Sequence, residues 1–336
     1  MFTVKAIRVG IIGLGIGRWH IESYLAIPEV KVVALCDTDE DKLKSMVTRY
    51  GIIRAYTDYK ELCQSDDVDV ISICTPNHLH APIAICALEN GKHILCEEPL
   101  SNSSSEAEKV LETSQKNPDL KAMVAMKFRF NRDAIYIRKM IENGEMGEIH
   151  YGSASYLKPL DVTQGKNGWR IQKDLSGGGT LIDNGLHVFD LIWWVMGCPK
   201  PVEAFGNTYD RAKLNTSNVE DLASGIVRFE NDSTVMIESA WRSLIQDGTM
   251  TMRIFGSNGS AALWPFRILY EDGREITSRK MEHNGIVAEN QFRHFIQCIE
   301  KKRKPMSTIE QGVIVLRMVD AIYHSAREKK VVAINI

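Results

Sequence analysis

The run Val9-Gly10-Ile11-Ile12-Gly13-Leu14-Gly15-Ile16-Gly17 constrains the fold of this chain more than any other stretch. Val9–Ile12 reads as a buried strand, and the glycines after it open directly into the amphipathic segment Arg18–Ala26. A glycine-rich strand-to-helix turn lets backbone approach a pyrophosphate at a helix N-terminus, where unpaired N–H groups and the dipole favour negative charge. The context fits a dinucleotide site: a strand precedes, a helix follows, and Asp37 ends the second strand 22 positions after Gly15. One detail departs from the usual fingerprint, since the third glycine is Gly17 and position 18 is Arg18. Gly13, Gly15, Ile16 and Gly17 are therefore the expected pyrophosphate loop. Asp37 is the expected partner of the adenosine ribose hydroxyls. A carboxylate there repels a 2′-phosphate and Thr38 supplies no cation, so NAD is expected ahead of NADP. The alternative is that Asp37 caps the next helix, a task Asp39 and Asp41 could do equally well.

The first third of the chain alternates short apolar runs with amphipathic segments, as βαβ units do. Val30–Cys36, Val68–Cys74, His93–Cys96 and Met123–Met126 read as further strands, Asp41–Tyr50 and Pro82–Glu89 as helices closed by Gly51 and Gly91. Ser103 with Glu106 makes a capping box for the helix that follows. After about residue 128 the strands alternate instead of running continuously: Met250, Met252 and Ile254 face one way, Thr251 and Arg253 the other. Polar turns such as Asn231-Asp232 and Asp272-Gly273 join them, predicting an antiparallel, open-faced sheet covered on one side by helices. The expected class is α/β, with a Rossmann domain over 1–127 and an α+β substrate-binding and oligomerisation domain over 128–336. An uncovered sheet face commonly packs on a second subunit, so at least a dimer is expected through it.

With 41 Lys and Arg against 43 Asp and Glu, the net charge of −2 gives no electrostatic reason to expect nucleic acid or an anionic membrane as partner. The basic run Lys301–Lys304 follows an apolar-periodic stretch and precedes Pro305, which suits a helix C-terminus. No stretch is long and apolar enough for a membrane span, and the N-terminus lacks signal-peptide architecture. Seven scattered cysteines without a Cys-x-x-Cys pair fit reduced thiols, a cytoplasmic location and no zinc site.

A second cassette, Gly177-Gly178-Gly179-Thr180-Leu181-Ile182-Asp183-Asn184-Gly185-Leu186-His187, carries the candidate chemistry. Asp183 and His187 are four apart, a spacing that puts both on one face of a helix. Imidazole is the side chain best suited to take a hydroxyl proton near neutral pH, and Asp183 would orient it or bind an adjacent hydroxyl. A core histidine satisfied by a helix carboxylate is the bland alternative. Asn77 and His80 follow a strand C-terminus, where doubly wound folds place ligands, although His80 would equally start the next helix. Trp169 and Arg170 suit a sugar pocket, by ring stacking and a planar donor fork, or equally a loop anchor.

These cassettes, with Thr75-Pro76-Asn77 and His80, Gly91-Lys92-His93, Glu97-x-Pro99, Arg129-Phe130, Gly168-Trp169-Arg170 and Glu220-Asp221, resemble the glucose–fructose oxidoreductase / inositol dehydrogenase (Gfo/Idh/MocA) family over nearly the whole chain. The resemblance implies a C-terminal α/β domain with a large mixed sheet. It also implies an oxidoreductase interconverting a secondary alcohol and a ketone on a sugar-, sugar-acid- or cyclitol-like substrate, with NAD. Thr75, Asn77, His80 and Glu97 are then expected at the cofactor, and Arg129, Trp169 and Arg170 at the substrate. Where the family carries Glu-Lys-Pro this chain reads Glu97-Glu98-Pro99. A lysine there would stabilise a developing alkoxide, and a carboxylate opposes it. Three readings follow: Glu98 acts as a base, Lys127 stands in as the cation, or the protein binds NAD without turning over a carbinol, as a sensor. An NAD-using lyase or glycosidase without net redox is a further alternative.

Overall fold

The structure is a computed structural model and describes residues 6–159, 165–210, 218–241, 249–277 and 290–336. The first apolar run forms β1 (Ile7–Ile12), with Val9, Ile11 and Ile12 buried. The chain turns at Gly13, where φ is +89° and a Cβ would lie 2.5 Å from the Cys74 carbonyl oxygen, so glycine is the residue that fits. α1 (Gly17–Leu25), β2 (Val30–Cys36) and α2 (Glu40–Tyr50) follow. Asp39 caps α2 by accepting the Lys42 N–H at 3.0 Å, which leaves the Asp37 carboxylate for another task. Next come β3 (Arg54–Tyr56), α3 (Tyr59–Gln64), β4 (Val70–Ile73), a 3-10 turn over Asn77–Leu79 and α4 (His80–Glu89). β5 (His93–Cys96), α5 (Ser104–Lys116) and β6 (Ala122–Val124) complete the succession, and Ser103 accepts the Glu106 N–H at 3.4 Å to cap α5. The six strands are parallel in the order β3-β2-β1-β4-β5-β6. This is the doubly wound order in which ligands bind beyond the strand C-termini where the order reverses, here between β1 and β4.

The chain then enters a 3-10 turn over Lys127–Phe130, α6 (Arg132–Glu142), β7 (Ile149–Leu157) and α7 (Lys173–Ser176). A π-helical turn over Leu181–Gly185 runs into α8 (Leu186–Val195). Among the described residues β8 (Pro201–Tyr209), β9 (Leu222–Phe229), β10 (Thr234–Ala240), β11 (Thr249–Gly256), β12 (Gly259–Leu263), β13 (Arg267–Tyr270) and β14 (Glu275–Thr277) follow. α9 (Gln291–Glu300), α10 (Ile309–Glu328) and β15 (Val332–Ala333) end the chain. The second sheet has the order β14-β13-β12-β11-β7-β10-β9-β8-β15. Among the described residues only β7 and β10 pair parallel, so it is mixed. α8 packs on one face of it, with nearly every residue buried. On the other face Phe205, Ile226 and Met236 stand in one row by register, each more than two-fifths exposed.

Two compact units result: Met1–Ala125 with Glu289–Val313, and Met126–Ala288 with Ile314–Ile336. The sequence reading put all of 128–336 in one domain; the structure instead clusters Glu289–Val313 with the first unit. The contacts explain the difference. Val124 donates its N–H to the Ser307 carbonyl at 3.2 Å, and the Phe292 ring stands edge-on to Trp19, His20 and Tyr24 at 4.9, 4.7 and 5.0 Å.

Within the second unit, Arg129 is fully buried and forks onto Asp190 through Nε (2.9 Å) and Nη2 (2.6 Å). Removing one member of such a pair strands the other charge, so Asp190→Ala should cost about 3–5 kcal/mol. A urea midpoint within experimental error of the parent would show that the pair is dispensable.

Candidate active site

The glycine loop leads into α1 through Ile16, which occupies the N-cap without a side-chain hydrogen bond, so no side chain of the cap residue takes up the first-turn N–H groups. A Cβ built on Gly15 meets nothing within 4 Å, so the loop is open to an incoming group on that side. Asp37 Oδ2 accepts the Leu14 N–H at 2.7 Å and Oδ1 the Asp39 N–H at 2.9 Å, which ties the end of β2 to the loop. Lys42 Nζ lies 3.3 Å from the same carboxylate, a cation that the reading from Thr38 alone did not foresee. At the end of β4 the Thr75 hydroxyl is buried and has no hydrogen-bond partner among the described residues. An open glycine loop, an uncapped helix start and an orphaned hydroxyl at a strand C-terminus fit a dinucleotide.

Two residues expected at the cofactor, His80 and Glu97, have partners within the protein. His80 is buried with Nδ1 2.6 Å from the Pro99 carbonyl and Nε2 2.7 Å from that of Thr75, so it clamps two loops. Burial pushes its pKa down, and a neutral ring donates to only one of the two carbonyls. Glu97 is buried against His20, whose Nε2 is 2.7 Å from Oε1 and whose Nδ1 is 2.7 Å from the Ser72 hydroxyl. His20 was not singled out in the sequence. Asn77 is buried at the start of its 3-10 turn, and Glu98 is half-buried beside a cis bond to Pro99.

In the second unit the triple glycine wraps round a carboxylate. Glu220 accepts the Gly179 N–H at 2.9 Å, the Leu181 N–H at 3.0 Å and the Tyr323 hydroxyl at 2.8 Å. A Cβ on Gly179 would fall 1.9 Å from the Glu220 carbonyl oxygen, so the close approach requires glycine. Burial raises the Glu220 pKa, opposed by those three donors. The turn so anchored is π-helical, and its wider i→i+5 pitch breaks the i,i+4 stacking expected of Asp183 and His187. Asp183 accordingly accepts from Arg170 Nε at 3.3 Å and Trp241 Nε1 at 3.1 Å, and does not pair with His187. The Arg170 guanidinium lies 4.5 Å from the centroid of the Trp169 ring.

His187, half-buried, receives Lys127 Nζ at Nε2 over 3.4 Å. Lys127 begins a 3-10 turn and does not end a strand, since β6 stops at Val124. Phe128 and Tyr156 flank the imidazole at 5.3 and 6.2 Å, and Trp264, a non-glycine residue at φ +60°, packs on Phe128 at 5.6 Å. Burial, then the charges of Lys127 and Lys158, hold the His187 pKa well below its ordinary value. Arg129, expected at the substrate, is committed to Asp190 in the core. Among the described residues no cluster of His, Cys, Asp or Glu could hold a metal, and no helix is long and apolar enough to cross a membrane.

Two family models match: an oxidoreductase-family NAD-binding Rossmann fold over residues 7–126, and the oxidoreductase-family C-terminal alpha/beta domain over 138–334. The chain belongs to the Gfo/Idh/MocA oxidoreductases. It is 27% identical to the D-glucoside 3-dehydrogenase of Escherichia coli, over 96% of each chain. To the myo-inositol 2-dehydrogenase of Thermotoga maritima it is 25% identical, over 98% of each. A levoglucosan dehydrogenase solved in complex with NADH has the same fold, with a TM-score of 0.88 at 24% identity over 98% of this chain and 99% of that one. The protein is thus an oxidoreductase with an NAD-binding Rossmann domain.

Lys158, Trp241 and Tyr323 were missed in the sequence. None sits in a glycine- or histidine-bearing motif; each reaches the site by strand pairing or helix packing. The His187 environment is testable directly. In a histidine-resolved NMR titration, the His187 resonance, assigned with His187→Gln, should titrate well below pH 6.5. Lys127→Met removes a nearby positive charge, which favours the imidazolium, so the midpoint should move up towards 6.5. A midpoint unchanged by that substitution would contradict the assigned contact.

Proposed function

We propose that the chain is an NAD-dependent dehydrogenase that interconverts a secondary alcohol and a ketone on a sugar-, sugar-acid- or cyclitol-like substrate. Lys127 takes the electrostatic role that Glu98 cannot. The observation that carries this reading is the 3.4 Å contact between Lys127 Nζ and His187 Nε2, a cation and a neutral base on one reacting oxygen's worth of space. Similarity to dehydrogenases of glucosides and inositol supports the substrate class.

Bound NAD would supply the acceptor for the carbinol hydrogen. The chain's own residues do the rest. His187, kept neutral by its surroundings, takes the hydroxyl proton at Nε2. The Lys127 ammonium stays protonated and stabilises the alkoxide as it forms. Asp183, held by Arg170 and Trp241, accepts a neighbouring substrate hydroxyl. NAD is preferred to NADP because the Asp37 carboxylate sits at the end of β2, with Lys42 offsetting only part of its charge.

Reduction of NAD should be measured against a panel of cyclitols, sugars and sugar acids. Lys127→Met should lower kcat/KM about 10²–10³-fold, the usual loss of one oxyanion-stabilising donor. His187→Ala should lower it about 10²–10⁴-fold, as loss of a general base does. NAD binding without turnover of any member would favour the sensor, and bond cleavage without net NADH the lyase or glycosidase. Parent-like turnover in His187→Ala would remove the mechanism.

The row Phe205, Ile226 and Met236 supports self-association through the open sheet face. Sedimentation at micromolar concentration should show a dimer or larger. Ile226→Glu with Met236→Glu should give a monomer, and a monomeric parent would end this reading.

A further inference from the structure

Between β12 and β13 the chain reverses over Trp264-Pro265-Phe266, and Trp264 takes φ +60°. Gly, Asn and Asp suit that left-handed region, and a bulky side chain there strains the backbone. Closing the turn therefore does not call for tryptophan. Neither does anchoring it, since Phe266 is buried and stands edge-on to Tyr136 of α6 at 6.3 Å. Trp264 stays half-buried. Its ring centroid is 5.6 Å from that of Phe128 with the planes at 64°, and Phe128 is 5.3 Å from the His187 imidazole, again at 64°. Tyr156 flanks the same imidazole at 6.2 Å. The base thus stands in a row of aromatic rings, with Trp264 one contact further from it than Phe128. Strained backbone under a bulky side chain collects at ligand clamps, where the position of the side chain is what the strain maintains.

Resting on the dehydrogenase reading, we propose that Trp264 is a specificity-determining residue, whose indole covers the C–H face of a cyclic substrate while the reacting carbinol lies at His187. Two ring contacts separate the indole from the imidazole, so it meets the side of the substrate away from the reacting carbon. A pyranose or cyclitol holds its axial C–H bonds together as one apolar face, which a flat π-system covers. An open-chain polyol has no such face until its rotors are frozen, at an entropic cost. The ring of Trp264 therefore favours closed substrates over open ones through binding, and leaves the proton transfer to His187.

myo-Inositol and sorbitol test this as a pair, equal in carbons and hydroxyls, one closed and one open, with methyl β-D-glucopyranoside as a second ring. Trp264→Asn removes the indole and keeps a residue that tolerates the left-handed backbone, whereas Trp264→Tyr restores an aromatic ring. With NAD, Trp264→Asn should raise KM for the better ring substrate about tenfold and change kcat, and kcat/KM for sorbitol, less than about twofold. Trp264→Tyr should recover most of the loss. A fall carried by kcat, or shared equally by sorbitol, makes the residue structural and overturns the proposal while leaving the dehydrogenase intact. Preference of the parent for sorbitol overturns it as well. Binding is read apart from turnover in the presence of NADH, which cannot oxidise an alcohol. The Trp264 indole N–H resonance, assigned by its loss in Trp264→Tyr, should shift with the ring ligands and not with sorbitol. If nothing is turned over, the dehydrogenase reading falls and the resonance alone decides the ring contact: a shift with the rings only supports it, and no shift with either ring overturns it.

Discussion

The buried fork between Arg129 and Asp190 is the constraint on which the rest of the second unit's site depends. Arg129 lies in the turn begun by Lys127, and Asp190 lies one helical turn beyond His187 on α8. Two N–H bonds to two carboxylate oxygens fix both distance and orientation, which a single-point contact does not. The Arg129 guanidinium also lies 5.8 Å from the Trp194 ring, on the same helix. A buried ion pair adds little net stability over an apolar replacement, so what it contributes here is registry. Lys127 reaches the His187 imidazole because its turn is pinned two residues further along.

Glu220 exerts the matching constraint from the loop side. Its carboxylate replaces the partners that the first N–H groups of the π-helical turn lack, and the Tyr323 hydroxyl closes the set. The same contact explains the glycines: backbone packs on backbone at Gly179, and the Tyr323 hydroxyl would be 2.1 Å from a Cβ on Gly178. The wide turn then sends Asp183 towards Trp241 and Arg170, away from the imidazole that four-residue spacing had assigned to it. Imidazole and carboxylate consequently do not form a relay.

The parallel half of the fold was legible because its signals are local. Continuous apolar runs, the glycine turn, the Ser103 cap and Gly51 each specify their own few residues, and Val30–Cys36 and His93–Cys96 come out with the ends expected. What escaped depends on partners distant in sequence. Nothing near Lys158 or Trp241 announces a site. The excursion of Glu289–Val313 to the first unit rests on Ser307 meeting Val124 and Phe292 meeting α1. The family resemblance put Arg129 and His80 at ligands, and a polar residue in a motif reads the same whether its donors face a ligand or, as here, the Asp190 carboxylate and the carbonyls of Pro99 and Thr75; His80 also starts α4, the other reading its position allowed.

The lysine beside the imidazole is the contact on which the proposed chemistry turns. An ammonium donating to Nε2 keeps the proton on nitrogen of far higher basicity, so the ring is a free base in the resting protein. On the dehydrogenase reading proposed above, a hydroxyl entering between them would meet a proton acceptor and a positive charge together. On that reading the low pKa of the acceptor would slow proton removal, and the cation would compensate by lowering the pKa of the hydroxyl itself. Both effects come from the same charge, so moving Lys127 changes base strength and alkoxide stability in opposite directions. The cation must therefore outweigh the loss it imposes on the base.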